Sequence, residues 1–388
     1  MKNNTIKAGT IIGLSSILIC LDSLLKINLG SFHLQLGVAI ILLASPLIFL
    51  SLKSEPTTLD ATYFVLLIYI FLNFPFAINK DVFLTGLSYV LIFTILYKTI
   101  GRVSRFINWE RVSTFALLTL IITGFFQYSL INIFDHQLEL RGIDASYYQH
   151  KGNLGYRMRG FFLEPNWFGL TLFSWSFLFI YKKASFSTID FLILLLTAVC
   201  IYLSENRLIY ILYLYIITMF FFSKRAESLS KLVPVLSVSV AIFIYILLSI
   251  SGLDLTDRSA AARTYTMAQT WNVWIESSLI EKIFGYGFSN WGYYSNLWEL
   301  SWSNYRFDQA LTRRDNAEIY VFLFEMGLAS IILFMVDLFF IGKKSKKPIL
   351  PIFISSIYIS SFFYPIFNFL FYLIPMMVVR HEILKKNQ

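Results

Sequence analysis

The chain has 388 residues, of which 57% are hydrophobic and only 14% charged, and its mean hydropathy is +0.66. Soluble globular chains carry about 25% charged residues, so this composition excludes a water-solvated fold and names lipid as the main solvent. A net charge of +9 would suit nucleic acid, but Lys and Arg fall in short connectors between apolar runs, as membrane topology requires. Nucleic acid is therefore excluded as a partner, and membrane lipid is implied.

In chain order, apolar runs lie at roughly 8–27, 32–52, 61–78, 82–100, 111–131, 161–181, 188–204, 207–223, 231–251, 317–341, 349–364 and 366–380. Nearly every run reaches the ~17–25 residues that cross a bilayer as helix, which predicts about twelve spans. The last two also read as a re-entrant pair. Lys2 and Lys7 precede the first run and no small-residue cleavage pattern follows it, so it reads as a retained span. Cys20 and Cys200 lie inside apolar runs and imply neither disulfide nor zinc. No residue spacing suggests a metal or another cofactor.

The predicted fold is all-α, a polytopic transmembrane helical bundle. It divides into N-terminal membrane helices (1–131), a polar connector (132–160), central membrane helices (161–251), a large connector (252–316), and C-terminal membrane helices with a tail (317–388). A cytoplasmic N-terminus places Lys98, Arg102, Arg105, Arg111, Lys182, Lys183, Lys224, Arg225, Lys231, Lys343, Lys344, Lys346 and Lys347 inside. The tail residues Arg380, Lys385 and Lys386 fall on the same side, and the opposite short connectors hold little beyond Lys80 and Arg207. Both termini are thus expected in the cytoplasm and both long connectors on the outer face.

Long polar loops between compact helices usually carry function. Within the second, "SAAARTYTMAQTWNVWIESSL" has helical spacing that puts Met267, Trp271, Trp274 and Leu279 on one side. It predicts an amphipathic helix in the interface; the plain alternative is an aromatic anchor for the loop. "FGYGFSN" (284–290) reads as a glycine-containing turn.

Three inward-running spans begin at charged clusters on the outer face: Glu164-Pro165-Asn166, Ser204–Arg207, and Arg313–Glu318. Helix N-termini and arginine forks both suit the anionic oxygens of a diphosphate. The plain alternatives are that Glu164, Ser204 and Asp315 cap helices, that Arg207 snorkels to headgroups, and that Arg157, Arg159, Arg263, Arg313 and Arg314 solvate loops. The concentration of outer-face arginine against the positive-inside trend favours a binding role.

At these residues the chain resembles the O-antigen polymerase and ligase family of bacterial envelope proteins. "RMRGFFLEPNWFG" (157–169) is similar to that family's Arg/Gly/Phe run followed by an acidic residue, Pro and Asn, and "LSENRLIYILYLY" to its Ser-x-x-Arg at a span start. "RTYTMAQTWNVWIES", with "IFGYGFSNW" after it, resembles the Arg…Trp…Gly-x-Gly stretch of the large periplasmic loop. "DNAEIYVFLFEMGLASIILF" resembles the His-Asn…Glu-x-Gly segment. The likeness covers about residues 155–340, in order. Asp315 stands where the ligases have His, which favours the polymerase branch.

The resemblance implies a glycosyltransferase in the bacterial inner membrane that uses no cofactor. Donor and acceptor are undecaprenyl-diphosphate-linked oligosaccharides, joined at the periplasmic face. A chain-length regulator and a flippase of the same pathway are implied as partners. Arg207 and Arg263 are expected to bind diphosphate, with Arg157, Arg159, Arg313, Arg314, Asn166 and Asn316 beside them. Asp315 is the first candidate for general base and Glu164 the second. Two alternatives remain: an O-antigen ligase acting on lipid A core, and a lipid-linked oligosaccharide transporter or flippase.

Overall fold

The computed structural model describes residues 2–29, 32–52, 58–136, 151–152, 155–162, 164–222, 258–298, 300, 318–345, 347, 349–360 and 373–385. Among these, helix dominates. Up to residue 222 the helices are α1 (Lys2–Leu18), α2 (Leu36–Ser51), α3 (Thr58–Leu72), α4 (Lys80–Val103), α5 (Trp109–Asn132), α6 (Pro165–Lys182), α7 (Thr188–Leu203) and α8 (Arg207–Phe222). There follow α9 (Arg258–Glu276), α10 (Leu279–Phe284), α11 (Trp291–Leu297), α12 (Glu318–Lys344), α13 (Ile349–Ser360) and α14 (Leu373–Lys385). Two small antiparallel pairs depart from the all-α expectation: β1 (Lys26–Leu29) with β2 (Phe32–Gln35), and β3 (Lys151–Gly152) with β4 (Gly155–Tyr156).

Among the described residues, three stretches, Lys80–Phe106, Trp109–Asn132 and Ile319–Lys344, are long and apolar enough to cross a bilayer, and several shorter apolar helices accompany them. The architecture is that of a helical membrane protein. The outward faces agree with that. On α5, Phe115, Ile122 and Phe126 form one exposed stripe, continued by Ile133 just past its end, while Leu117, Leu120, Ile121 and Gly124 are buried on the other side. A helix apolar on both faces suits protein on one side and lipid on the other.

The chain forms two compact units, divided within α4 at residues 92 and 93. The first holds 1–55, 93–222 and 370–382. Its centre is α6, apolar all round and buried continuously from Phe168 to Ile180, with α5, α7 and α8 packed against it. At the Lys-rich end, the Lys183 ammonium lies 2.8 Å from Asp190 and 3.2 Å from Glu110, joining the ends of α5, α6 and α7. Lys182 pairs with Glu382 and so ties α14 to the same end. A capping box starts α7, with the Ser187 hydroxyl and the Asp190 carboxylate each satisfying the other's backbone amide.

The second unit holds 56–92, 223–369 and 383–388. Ile70 of α3, Phe83 and Leu87 of α4, Phe288, and Phe322 and Met326 of α12 make one apolar core. The α12 run is broken at Gly327, whose φ of 62° and ψ of −164° are not helical.

Candidate functional site

In the first unit, side-chain amides clamp the segment that leads into α6. Asn132, the last residue of α5, accepts from the Tyr156 amide through Oδ1 (2.8 Å) and donates to the Tyr156 carbonyl through Nδ2 (3.0 Å). One residue pair further on, the Met158 amide donates to the Leu203 carbonyl at the end of α7 (2.9 Å). The Arg159 amide donates to Gln127 Oε1 on α5 (2.9 Å). Gly160, with φ of 54°, turns the chain, and Pro165 then starts α6 at the position where a missing amide costs nothing.

That path fixes Arg157 at a junction of three elements. Its Nε donates to the Ser204 carbonyl (2.8 Å) and its guanidinium to Asn166 Oδ1 (3.2 Å). Asn206 reaches the same place, its Nδ2 donating to the Asn166 carbonyl at 3.4 Å. Close approach of α6 to the α7–α8 turn needs Gly169. A Cβ there would stand 3.2 Å from the Ser204 hydroxyl. The "RMRG", "EPN" and "SENR" segments therefore form one network, from which both α6 and α8 start. Two helix N-termini give this network a positive field.

Arg207 is the first residue of α8 and is exposed, with no hydrogen bond or ion pair to any described residue. Arg159 is buried, and its guanidinium donates to the Phe162 carbonyl (3.3 Å). Burial lowers its pKa from the usual arginine value, yet a guanidinium stays charged in proteins. Its geometry is that of a clasp for the turn. Glu164 occupies the N-cap of α6 in extended conformation, but its side chain makes no capping hydrogen bond. Nor does Ser204 cap α8. Its hydroxyl returns to the Ile201 carbonyl (2.7 Å), and Asn206 Oδ1 takes the Ile209 amide instead (3.2 Å). The departure at Ser204 has a local cause: the turn Ser204-Glu205-Asn206 puts Glu205 at φ 50°, which moves the cap position to Asn206.

The other predicted residues belong to the second unit. Arg263 lies on α9, while Arg313, Arg314, Asp315 and Asn316 fall outside the described residues. On α9, Met267 is buried, and Trp271 and Trp274 stack on each other with ring centroids 5.1 Å apart. The expected interfacial helix ends at Glu276. Leu279 belongs to a separate helix, α10, begun by a Ser278–Glu281 capping box.

Glu325 belongs to the Glu-x-Gly segment of the sequence, where it carries no expected role. Its side chain is 0% exposed, and Oε1 accepts the Trp291 amide (3.1 Å). Around it the "FGYGFSNW" turn lies on the α12 break: the Tyr286 and Gly287 amides donate to the Phe324 and Glu325 carbonyls at 2.8 and 2.9 Å. The available signal was an ionisable residue within an apolar run of spanning length, which by itself marks a functional candidate. Among the described residues, no three His, Cys, Asp or Glu side chains group as metal ligands. Compared with models of known protein families, with curated proteins and with solved structures, the chain matches none.

Proposed function

We propose that this protein is a membrane glycosyltransferase of the O-antigen polymerase type. It extends a glycan carried on undecaprenyl diphosphate at the outer face of the bacterial inner membrane, with both termini in the cytoplasm. The observation that carries this reading is Arg207, exposed and without a described partner, at the start of a helix that grows out of the Arg157–Asn166–Ser204–Asn206 network. An unengaged guanidinium beside two helix N-termini suits a diphosphate, whose oxygens it can fork.

In the reaction, the terminal sugar hydroxyl of one lipid-linked unit attacks the anomeric carbon of the glycan on another. The new C–O bond forms as the bond from anomeric carbon to diphosphate oxygen breaks. The departing electron pair stays on undecaprenyl diphosphate, and the hydroxyl proton passes to a carboxylate. Arg207 stabilises the charge that develops on the leaving group, the role that the family resemblance also gives to Arg263, Arg313 and Arg314. Arg157 and Asn166 brace the helix starts, and Arg159 holds the turn. Asp315 beside Asn316 is the base, and Glu164, at the N-cap of α6, is the second candidate. A chain-length regulator and a flippase are the expected partners.

One observation favours a second reading. A helix broken at Gly327 beside the buried Glu325 carboxylate is a feature of transporters that bind cargo within the membrane. Incubating purified protein with lipid-linked repeat units separates the two, since a polymerase yields a ladder of longer glycans and a flippase yields none. Within that assay, Arg207→Lys keeps the charge but loses the two-oxygen fork. We expect a roughly 10-fold or greater loss of chain extension, as for about 1.4 kcal/mol or more of lost transition-state stabilisation. Near-normal ladders from a well-folded Arg207→Lys protein would overturn the diphosphate role, because a snorkelling side chain works equally well as Lys.

A further inference from the structure

The stretch 279–290 lies inside what the sequence presents as a long outer loop, yet its neighbours are deep in apolar helices. Its lowest point is Phe284–Gly285. There the Tyr69 hydroxyl of α3 donates to the Phe284 carbonyl (2.5 Å) and reaches the Met326 carbonyl (3.3 Å). A Cβ on Gly285 would stand 2.3 Å from the Glu325 carbonyl carbon, and one on Gly327 would stand 2.3 Å from the Ile283 oxygen, so the two backbones are in direct contact. From that point the chain climbs. Phe288 packs edge-on against Phe83 (5.6 Å), and Asn290 takes the Ile78 amide (3.0 Å) and donates to the Phe76 carbonyl (3.0 Å). Phe76 and Ile78 mark the end of the α3 run.

Two rulers give the depth. From Ile319 to Gly327 is about 12 Å of α12 at 1.5 Å per residue. From Tyr69 to Phe76 is about 10 Å along α3 and the turn after it. Both place Phe284–Gly285 well below the helix ends. Irregular backbone survives at membrane depth only where protein satisfies its polar groups. Here the Tyr286 and Gly287 amides take the carbonyls released by the α12 break, Tyr69 covers two more, and the Ser330 hydroxyl covers that of Gly327 (2.8 Å). The side chains on the other side of α10 are bare: Leu279 and Ile280 are each 72% exposed and Phe284 52%. Two of the helices that α10 meets, α3 and α12, carry exposed apolar residues of their own, among them Phe71, Leu72 and Ile332.

We infer that residues 279–290 form a re-entrant hairpin whose α10 face is seated in the bilayer, with lipid acyl chains as its occupant. This does not rest on the polymerase reading, and it holds whichever side of the membrane the hairpin enters from. The test uses full-length protein with Cys20 and Cys200, both buried, replaced by Ala. Single cysteines at Ile280, Phe284 and the exposed His136 carry an environment-sensitive fluorophore in phosphatidylcholine–phosphatidylglycerol vesicles. Ile280→Cys and Phe284→Cys should react at least 10-fold more slowly than His136→Cys with a charged maleimide added to both faces. Once labelled in detergent, they should be quenched by lipids bearing bromine on the acyl chain. Aqueous reactivity equal to that of His136→Cys overturns the proposal. Slow reaction without acyl-chain quenching overturns it as well, since a protein partner would then cover the face.

Discussion

At the residue scale, Glu325 offers the sharpest contrast between structural and chemical roles. Its carboxylate is fully buried and accepts the Trp291 amide. Glu325→Gln keeps an oxygen at that position, so stability in detergent should stay within about 1 kcal/mol of the parent. Glu325→Ala orphans the Trp291 amide and leaves a void. It should cost about 1–3 kcal/mol for the unpaired donor, and more where the void does not collapse. Thermal unfolding of the two variants reads this directly. If Gln unfolds as readily as Ala, the charge itself holds the unit together; if Gln is stable but inactive, the carboxylate takes part in turnover or transport.

At the element scale, the crossing of the Gly-Tyr-Gly turn over the α12 break depends on two glycines, Gly285 (φ 76°) and Gly327 (φ 62°). Positive φ with ψ near 180° is a region essentially restricted to glycine and costs another residue about 1–3 kcal/mol, and the clash at the crossing adds to that. Gly285→Ala and Gly327→Ala should each lower stability by at least that much. The double variant should fall short of the sum, because one separation of the two backbones relieves both clashes. Gly13→Ala is the control: its Cβ would meet side-chain methyls alone, of Val112 at 3.2 Å and Ile107 at 3.5 Å, and alanine favours helix by about 1 kcal/mol. Full additivity of the first pair, measured by chemical denaturation, would mean that the backbones do not share a contact. The same elements show what the sequence makes legible. The all-round apolarity of α6 announces a buried helix, and Pro165 announces its start. Ser278 and Glu281 carry a readable capping box that separates α10 from α9. The pairing of "GYG" with "EMG" does not announce itself, because a glycine in an apolar run is tolerated in ordinary helix and the partner lies some forty residues away. Of the candidate site, the assembly of Arg157, Asn166 and the "SENR" turn follows the motif order. The inward clasp of Arg159 and the cap at Asn206 do not, since both depend on how tightly the turn closes over Gln127 and Gly169.

At the scale of the whole molecule, function depends on which leaflet the Arg207 network faces. Within each unit the cations gather at a helix C-terminus: Lys182 and Lys183 close α6, and Lys343 and Lys344 lie in the last turn of α12 with Lys347 beyond it. Short connectors rich in Lys and Arg stay cytoplasmic, and α6 begins at the opposite end, beside Asn206 and Arg207. His136 follows α5 at that opposite end and is exposed; Lys347 follows α12 and is also exposed. Both are therefore suitable reporters. In intact spheroplasts a membrane-impermeant maleimide should label His136→Cys and leave Lys347→Cys unmodified until the membrane is opened. The reverse pattern would put Arg207 on the cytoplasmic leaflet, away from any acceptor glycan that has crossed the membrane. The polymerase reading would then fall, and the buried Glu325 beside the broken α12 would become the main functional feature of the chain. The re-entrant hairpin would survive that outcome, because its depth is measured from the ends of α3 and α12 and not from either side of the cell.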